Sequence, residues 1–298
     1  LLPINKNIIN IKNIMDTVNT TEQTNCDYKH NLFFLDYETT GYNPYYNDVI
    51  EVAIKKFRES EYFQTLVKPT IDPKKPRAGG IRQLVPDKIV DVTGITDKML
   101  IDGGIKTDIS TMKTLEYILK HSTKDKQPIY LIAHNGSVFD FILLKRLMKE
   151  ANIAEKNLRR SKRLISQSQE DIMEQEMKEK KNMSLYGNPF GKDGYEEITK
   201  EKIKENQINT LYEITKRFRF IDTCLLARMY MRDDRVNQPG LCQKYNIQNE
   251  AEHRALGDIL ALEKLYPIMC SKVSNVLGKD ESWLLNNPQK VIDNLMIG

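Results

Sequence analysis

The sequence predicts an α/β fold, a mixed sheet flanked by helices, interrupted from mid-chain by a charged insertion. Three observations carry this. Short apolar runs such as Leu32-Phe33-Phe34-Leu35 and Ile129-Tyr130-Leu131-Ile132-Ala133 have the length and the aromatic and β-branched content of buried strands. Segments with helical periodicity stand between the later runs, so strand, helix and strand alternate. The first three runs instead follow one another with only turns between them, as in an antiparallel meander.

The composition sets the bounds. A chain of 298 residues is long enough for one large domain or two small ones. Charged residues make up 29% and hydrophobic ones 40%, and no apolar run approaches the roughly 18 residues of a membrane span, so no membrane association is expected. The net charge of +4 is compatible with a polyanionic partner without requiring one. Cys26, Cys224, Cys242 and Cys270 form no Cys-x-x-Cys pair and have no His at zinc-ligand spacing. The expectation is therefore a reducing intracellular compartment, cytoplasm or nucleus, for a cellular or viral protein. The start, Leu1-Leu2-Pro3, is neither Met nor a secretory leader, and is read as lying inside a longer polypeptide.

Residues 1–30, rich in Asn, Ile, Lys and Thr without periodicity, are expected to be a flexible tether. The first strand follows at Leu32 and ends at Asp36-Tyr37-Glu38-Thr39-Thr40-Gly41. The second spans Asp48 to Phe57 and the third Tyr62 to Val67. A Pro-, Gly- and Lys-rich loop from Pro69 to Pro86 leads to Val92-Thr93-Gly94-Ile95-Thr96-Asp97, a glycine turn before a helix start. Ser110 reads as the N-cap of a helix through Met112, Leu115, Ile118 and Leu119.

The strand at Ile129 ends in His134-Asn135-Gly136, and Phe139-Asp140 opens a helix carrying Ile142, Leu143, Leu144, Leu147 and Met148. Asp140 thus falls in the first turn of a helix after a strand. There an acid suits the helix dipole, and there the active sites of α/β sheets gather. From about Ala154 to Lys216 the pattern gives way to charge, beginning with Arg159, Arg160, Lys162 and Arg163. Such a run is a solvated face or a nucleic-acid contact. Order returns with the strand Phe218 to Thr223 and a helix through Leu225, Leu226 and Met229, which Pro239-Gly240 breaks. A short helix from Leu241 to Tyr245, a long amphipathic helix entered at Glu252-His253-Arg254-Ala255-Leu256-Gly257-Asp258, and a last helix from Pro288 to Met296 complete the reading.

The chemistry begins with Asp36 and Glu38. Strand side chains alternate faces, so both carboxylates point the same way at the end of a buried strand. They repel each other unless a cation lies between them, and oxygen ligands select a hard divalent ion. A solvated turn is the bland alternative. A calcium-binding EF-hand fails because Asn47 stands where the bidentate acid belongs and a strand precedes the loop where a helix is required. His253 and Asp258 lie five residues apart, about 140° around a continuous helix. They converge only if His253 belongs to the preceding loop, and a lone His there is otherwise a cap or surface residue.

Taken together, these residues resemble the DEDDh, or DnaQ-like, 3′-to-5′ exonucleases of the ribonuclease H-like superfamily. The motif Asp-x-Glu-Thr-Thr-Gly matches Asp36 to Gly41, His-Asn-x-x-x-Phe-Asp matches His134 to Asp140, and His-x-Ala-x-x-Asp matches His253 to Asp258. The segment Thr93-Gly94-Ile95-Thr96 is similar to the loop between the first two motifs, and Ile221-Asp222-Thr223 to the strand before the third. The insertion from Ala154 to Lys216 is longer than the family usually carries. The resemblance implies a five-stranded mixed sheet within an exonuclease domain over residues 31–273, preceded by the tether and followed by a helical tail over 274–298.

It also implies two Mg²⁺ ions, with Mn²⁺ as substitute, held by Asp36, Glu38, Asp140 and Asp258, and His253 as general base. Thr39, Thr40, Gly94, Ile95, Asn135 and Phe139 would bind the substrate. The implied reaction is hydrolysis of terminal phosphodiesters from a nucleic-acid 3′ end, releasing nucleoside 5′-monophosphates, alone or beside a polymerase or the rest of a longer polypeptide. Thr39-Thr40-Gly41 and the Thr-Gly-Ile-Thr loop look closer to DNA-proofreading members than to oligoribonucleases, which favours DNA. Trimming of RNA 3′ ends and a catalytically silent nucleic-acid-binding module are the competing readings.

Overall fold

The computed structural model describes residues 30–69, 84–123, 126–151, 208–231 and 235–296. The tether, the loop after Pro69 and the insertion up to residue 207 lie outside them. Strands β1 (Asn31–Thr39), β2 (Val49–Lys56), β3 (Tyr62–Lys68), β4 (Ile105–Lys106), β5 (Ile129–Ala133) and β6 (Phe218–Asp222) form one sheet in the order β4-β3-β2-β1-β5-β6. The meander is as expected: β2 runs antiparallel to both β1 and β3. β5 runs parallel to both β1 and β6. The sheet therefore holds the five expected strands plus β4, a two-residue strand parallel to β3.

Alternation along β1 divides the molecule into two cores. Leu32 and Phe34 face one side, where α8 (Ala255–Val276) packs with α7 (Gln238–Lys244), α9 (Trp283–Asn286) and α10 (Pro288–Leu295). Phe33, Leu35 and Tyr37 face the other, against α3 (Thr107–His121), α4 (Asp140–Glu150) and α5 (208–215). Phe34 is fully buried and meets Phe57 and Tyr266 edge-on at 5.9 Å each, joining β1 to the end of β2 and to the middle of α8. Truncating such a residue to Ala costs about 3–5 kcal/mol.

A satellite cluster of Ile50, Leu84, Val85, Ile89, Ile95 and Leu100 seats α1 (Asp87–Thr93) and α2 (Asp97–Gly103) beside the meander. Gly94 closes α1 at φ 69°, and the side chain of Thr96 caps α2 by accepting from Met99 N–H. The glycine turn was legible; α1 was not. Two further expectations change. Helix α3 starts at Thr107, and Ser110 is a buried residue within it whose carbonyl accepts from Thr114 Oγ1, so Ser110 is not its cap. Pro239 lies in the first turn of α7, where its missing N–H leaves no bond unmade, so it opens a helix instead of breaking one.

The end of the stretch read as solvated charge is also different, since α5 buries Leu211 and Ile214 in the second core. After β6, α6 (Thr223–Leu226) runs into a π-helical turn over Ala227–Met231. Among the described residues no helix is long and apolar enough to cross a membrane.

Candidate active site

Because β1, β5 and β6 are parallel, their C-terminal ends share one edge of the sheet, and the acids gather there. Asp36 and Glu38 project from β1 on the α8 face, as the period of two requires. Asp258 reaches them from the first turn of α8. Ligand atoms of Asp36, Glu38 and Asp258 lie within 4.8 Å of one another. Asp140, the first residue of α4, stands outside this compact trio, yet of the surrounding charges it acts most strongly on Asp36. Asp140 is buried, and its Oδ1 accepts from Tyr37 N–H at 3.2 Å.

Burial first, and then mutual repulsion, disfavour ionisation of these acids. Asp36 is raised well above the usual carboxylate range by burial and then by Asp140, Glu38, Asp258 and Glu51. Burial pushes Glu38 up to about 8, helped by Asp258, Glu51 and Asp140 and opposed by Arg254. Asp140 rises to about 7 through burial, although the Tyr37 N–H bond opposes the shift. Asp258 rises to about 6, again through burial, with the Asn249 side chain pulling the other way. Hard oxygen donors, close together, partly or fully buried and poor in cationic neighbours, fit divalent metal ions of the Mg²⁺ or Mn²⁺ type.

His253 stands in the turn before Ala255, off the helix, which is the condition the sequence set for it to approach Asp258. Its φ is 60° and its side chain is half exposed, with Nε2 3.5 Å from Glu252 Oε1. The charge and the backbone N–H of His253 both act on the Asp258 carboxylate in the sense that lowers its pKa. Asn249 Nδ2 donates to Asp258 Oδ1 at 2.8 Å, and Gln238 Nε2 to the Asp258 carbonyl at 2.8 Å.

The residues expected to meet substrate divide into two sets. Gly94 and Asn135 are exposed and Phe139 partly so. Ile95 is fully buried in the satellite core, so its side chain provides packing and no contact surface. Thr39 and Thr40 are buried, and their hydroxyls are engaged inside the loop. Thr39 Oγ1 donates to the Gly41 carbonyl, and Thr40 Oγ1 accepts from Asp48 N–H at 3.0 Å.

For three residues here no role followed from the sequence. Asp222 accepts from the N–H groups of Asn135, Ser137 and Cys224, and so ties the end of β5 to that of β6. His134 is held between Thr223 Oγ1 at 3.0 Å and the Val236 carbonyl at 2.7 Å, and burial lowers its pKa. Glu51 is almost wholly buried on β2, opposite Glu38. An acid inside the apolar run Val49-Ile50-Glu51-Val52-Ala53-Ile54 was the signal for it.

The sequence profile of the RNase T exonuclease family matches residues 33–185, just over half of the chain, and takes in Asp36, Glu38 and Asp140. The chain belongs to this exonuclease family. Its match ends before Asp222, His253 and Asp258, and of these three the fold brings Asp258 to within 4.8 Å of Asp36 and Glu38. A PolC-type DNA polymerase III of Mycoplasma genitalium is 29% identical over 124 residues, 40% of this chain and 7% of that protein. E. coli exonuclease I in complex with a dA16 oligonucleotide superposes with a TM-score of 0.52 at 12% identity, over 85% of this chain and 42% of that one. The same enzyme with a dT13 oligonucleotide gives 0.50 at 13% identity, over 83% and 42%. The chain thus spans less than half the length of these relatives, and the exonuclease I structures establish a common ribonuclease H-like fold.

Proposed function

We propose that the protein is a metal-dependent 3′-to-5′ exonuclease acting on nucleic acid, with DNA favoured. The observation that carries this reading is the convergence of Asp36, Glu38 and Asp258, with Asp140 beside them, at the edge of the sheet where β1 and β5 end. Membership of the exonuclease family supports it. The oligonucleotides bound to exonuclease I and the polymerase relative support a DNA strand end as substrate and a polymerase, or the rest of a longer polypeptide, as companion.

Asp36, Glu38, Asp140 and Asp258 would hold two Mg²⁺ ions, which supply Lewis acidity to the scissile phosphate and relieve the repulsion among the acids. The half-exposed imidazole of His253 accepts a proton from the attacking water. The water oxygen bonds to phosphorus, the bond to the 3′-oxygen breaks, and a nucleoside 5′-monophosphate leaves. Asn249 orients Asp258 through its 2.8 Å bond, while Asn135 and Phe139 offer a polar and an aromatic surface for the strand end. We assign the catalytic unit to residues 31–273.

Digestion of 5′-labelled single-stranded DNA, mismatched duplex and RNA with Mg²⁺ tests the reading. A descending ladder from the 3′ end, strongest on DNA and abolished by EDTA, is expected. Cleavage undiminished by chelator would remove the metal assignment, and early internal fragments from a circular strand would make the protein an endonuclease.

A further inference from the structure

We infer that Glu51 and Arg254 form a positioning pair that sets His253 and Asp258 against Asp36 and Glu38. The inference rests on the nuclease reading above and adds two residues to it. Glu51 lies opposite Glu38 in the pairing of β1 with β2, so its backbone shares a fixed register with the acid pair. Its carboxylate, 1% exposed, accepts from Arg254 Nε at 3.0 Å, Arg254 Nη2 at 2.6 Å, Ala255 N–H at 3.0 Å and Gln64 Nε2 at 2.9 Å. A buried carboxylate is tolerated when its lone pairs are used in this way.

These bonds do more than satisfy Glu51. Arg254 occupies the N-cap position of α8 but makes no side-chain cap, and the first helical N–H goes to Glu51 on β2 instead. The start of the helix is thereby capped by the sheet. The Arg254 carbonyl accepts from Asp258 N–H at 3.0 Å, and its own N–H donates to the Ala251 carbonyl at 3.2 Å. Arg254 is thus fixed at side chain, N–H and carbonyl between the two residues it serves. His253, next to it, has a φ of 60°, a region where a residue with a side chain persists only if its flanks are held. The guanidinium fork matches a carboxylate with two parallel bonds, which a lysine cannot reproduce.

R254K keeps the positive charge and removes the fork, and E51Q keeps the shape of the side chain and removes its charge. Both should lower kcat on single-stranded DNA by about tenfold to a hundredfold, the usual effect of losing a residue that orients a ligand group. KM should change little, with kcat referred to the folded fraction read from thermal melts. In a H253A background the same substitutions should cost clearly less than in the wild type, because the part of their effect that passes through His253 is already lost.

A second readout needs no turnover. Mn²⁺ alone should broaden the NMR signal of the His253 imidazole in the wild type and broaden it less in R254K and E51Q. Losses that add fully to that of H253A, a raised KM at constant kcat, or wild-type kcat in both variants would overturn the pair. If the wild type cuts no nucleic acid, the nuclease reading fails, and the broadening still decides positioning: equal broadening in all three proteins overturns the pair.

Discussion

The backbone N–H of Tyr37 donates to Oδ1 of Asp140 at 3.2 Å, and so fastens helix α4 to the strand residue that lies between Asp36 and Glu38. A single oxygen of Asp140 therefore has a structural task separable from its charge. Asp140→Asn keeps an acceptor for Tyr37 and removes the charge, so the metal-free protein should melt no lower than wild type while nuclease activity falls by orders of magnitude. Asp140→Ala leaves a buried N–H unpaired and should be less stable than the Asn variant by about 1–3 kcal/mol. Denaturant melts in EDTA give the comparison, and full activity in the Asn variant would take Asp140 out of the site.

Stability should depend on pH in a direction opposite to that of most acid-rich proteins. Glu38, Asp140 and Asp258 are raised to about 8, 7 and 6, and Asp36 is raised as well. Above the ordinary carboxylate values near 4, the folded protein therefore holds protons that the unfolded chain has released. That contribution is fully present below about pH 4 and is lost as pH rises through the folded values. Metal-free protein should melt at a higher temperature near pH 5.5 than near pH 8, and added Mg²⁺ should raise the melting temperature more at pH 8. A metal-free melting temperature that climbs over this interval would contradict the account of the acids.

Replacing His253 by Ala should slow cleavage by about a hundredfold to ten-thousandfold while Mn²⁺ still binds, since a proton acceptor acts on the attacking water and not on the resting site. Titration of Mn²⁺ by electron spin resonance separates the two effects. A variant that keeps most of its rate would return His253 to the status of a turn residue.

Gly257 makes a close approach that no other residue permits. A Cβ there would stand 2.1 Å from the Ala251 carbonyl oxygen, a backbone atom that cannot swing aside. Gly257→Ala should push the turn bearing His253 away from α8, destabilise the protein by about 1–3 kcal/mol, and reduce activity beyond the loss of folded molecules. Wild-type melting and activity would mean that the turn is far softer than its hydrogen bonds imply.

What the sequence revealed follows from the range of each interaction. Asp36 and Glu38 were legible because the strand period depends only on neighbours, and His253 and Asp258 because their spacing forces a loop before a helix. Ser110 misled because a hydroxyl near a helix start looks like a cap, whereas here the helix begins a turn earlier at Thr107 and Ser110 is buried within it. Glu51 left a signal that is easily misread. An acid in an apolar strand reads as a solvent-facing interruption until the partner 203 residues away is known to reach it. Thr39 and Thr40 were placed in the right loop, but their hydroxyls bond within it, a detail set by the turn from Gly41 to Asp48.

The long separation of the acids also matters while the chain is being made. Asp36 and Glu38 leave the ribosome early, Asp140 later, and Asp258 only with the helix that begins at Ala255. Until that helix docks, the emerging strands carry two or three acids with no fourth partner and no His253. On the proposed assignment the site stays incomplete in a growing chain, and it would be completed by one late docking event.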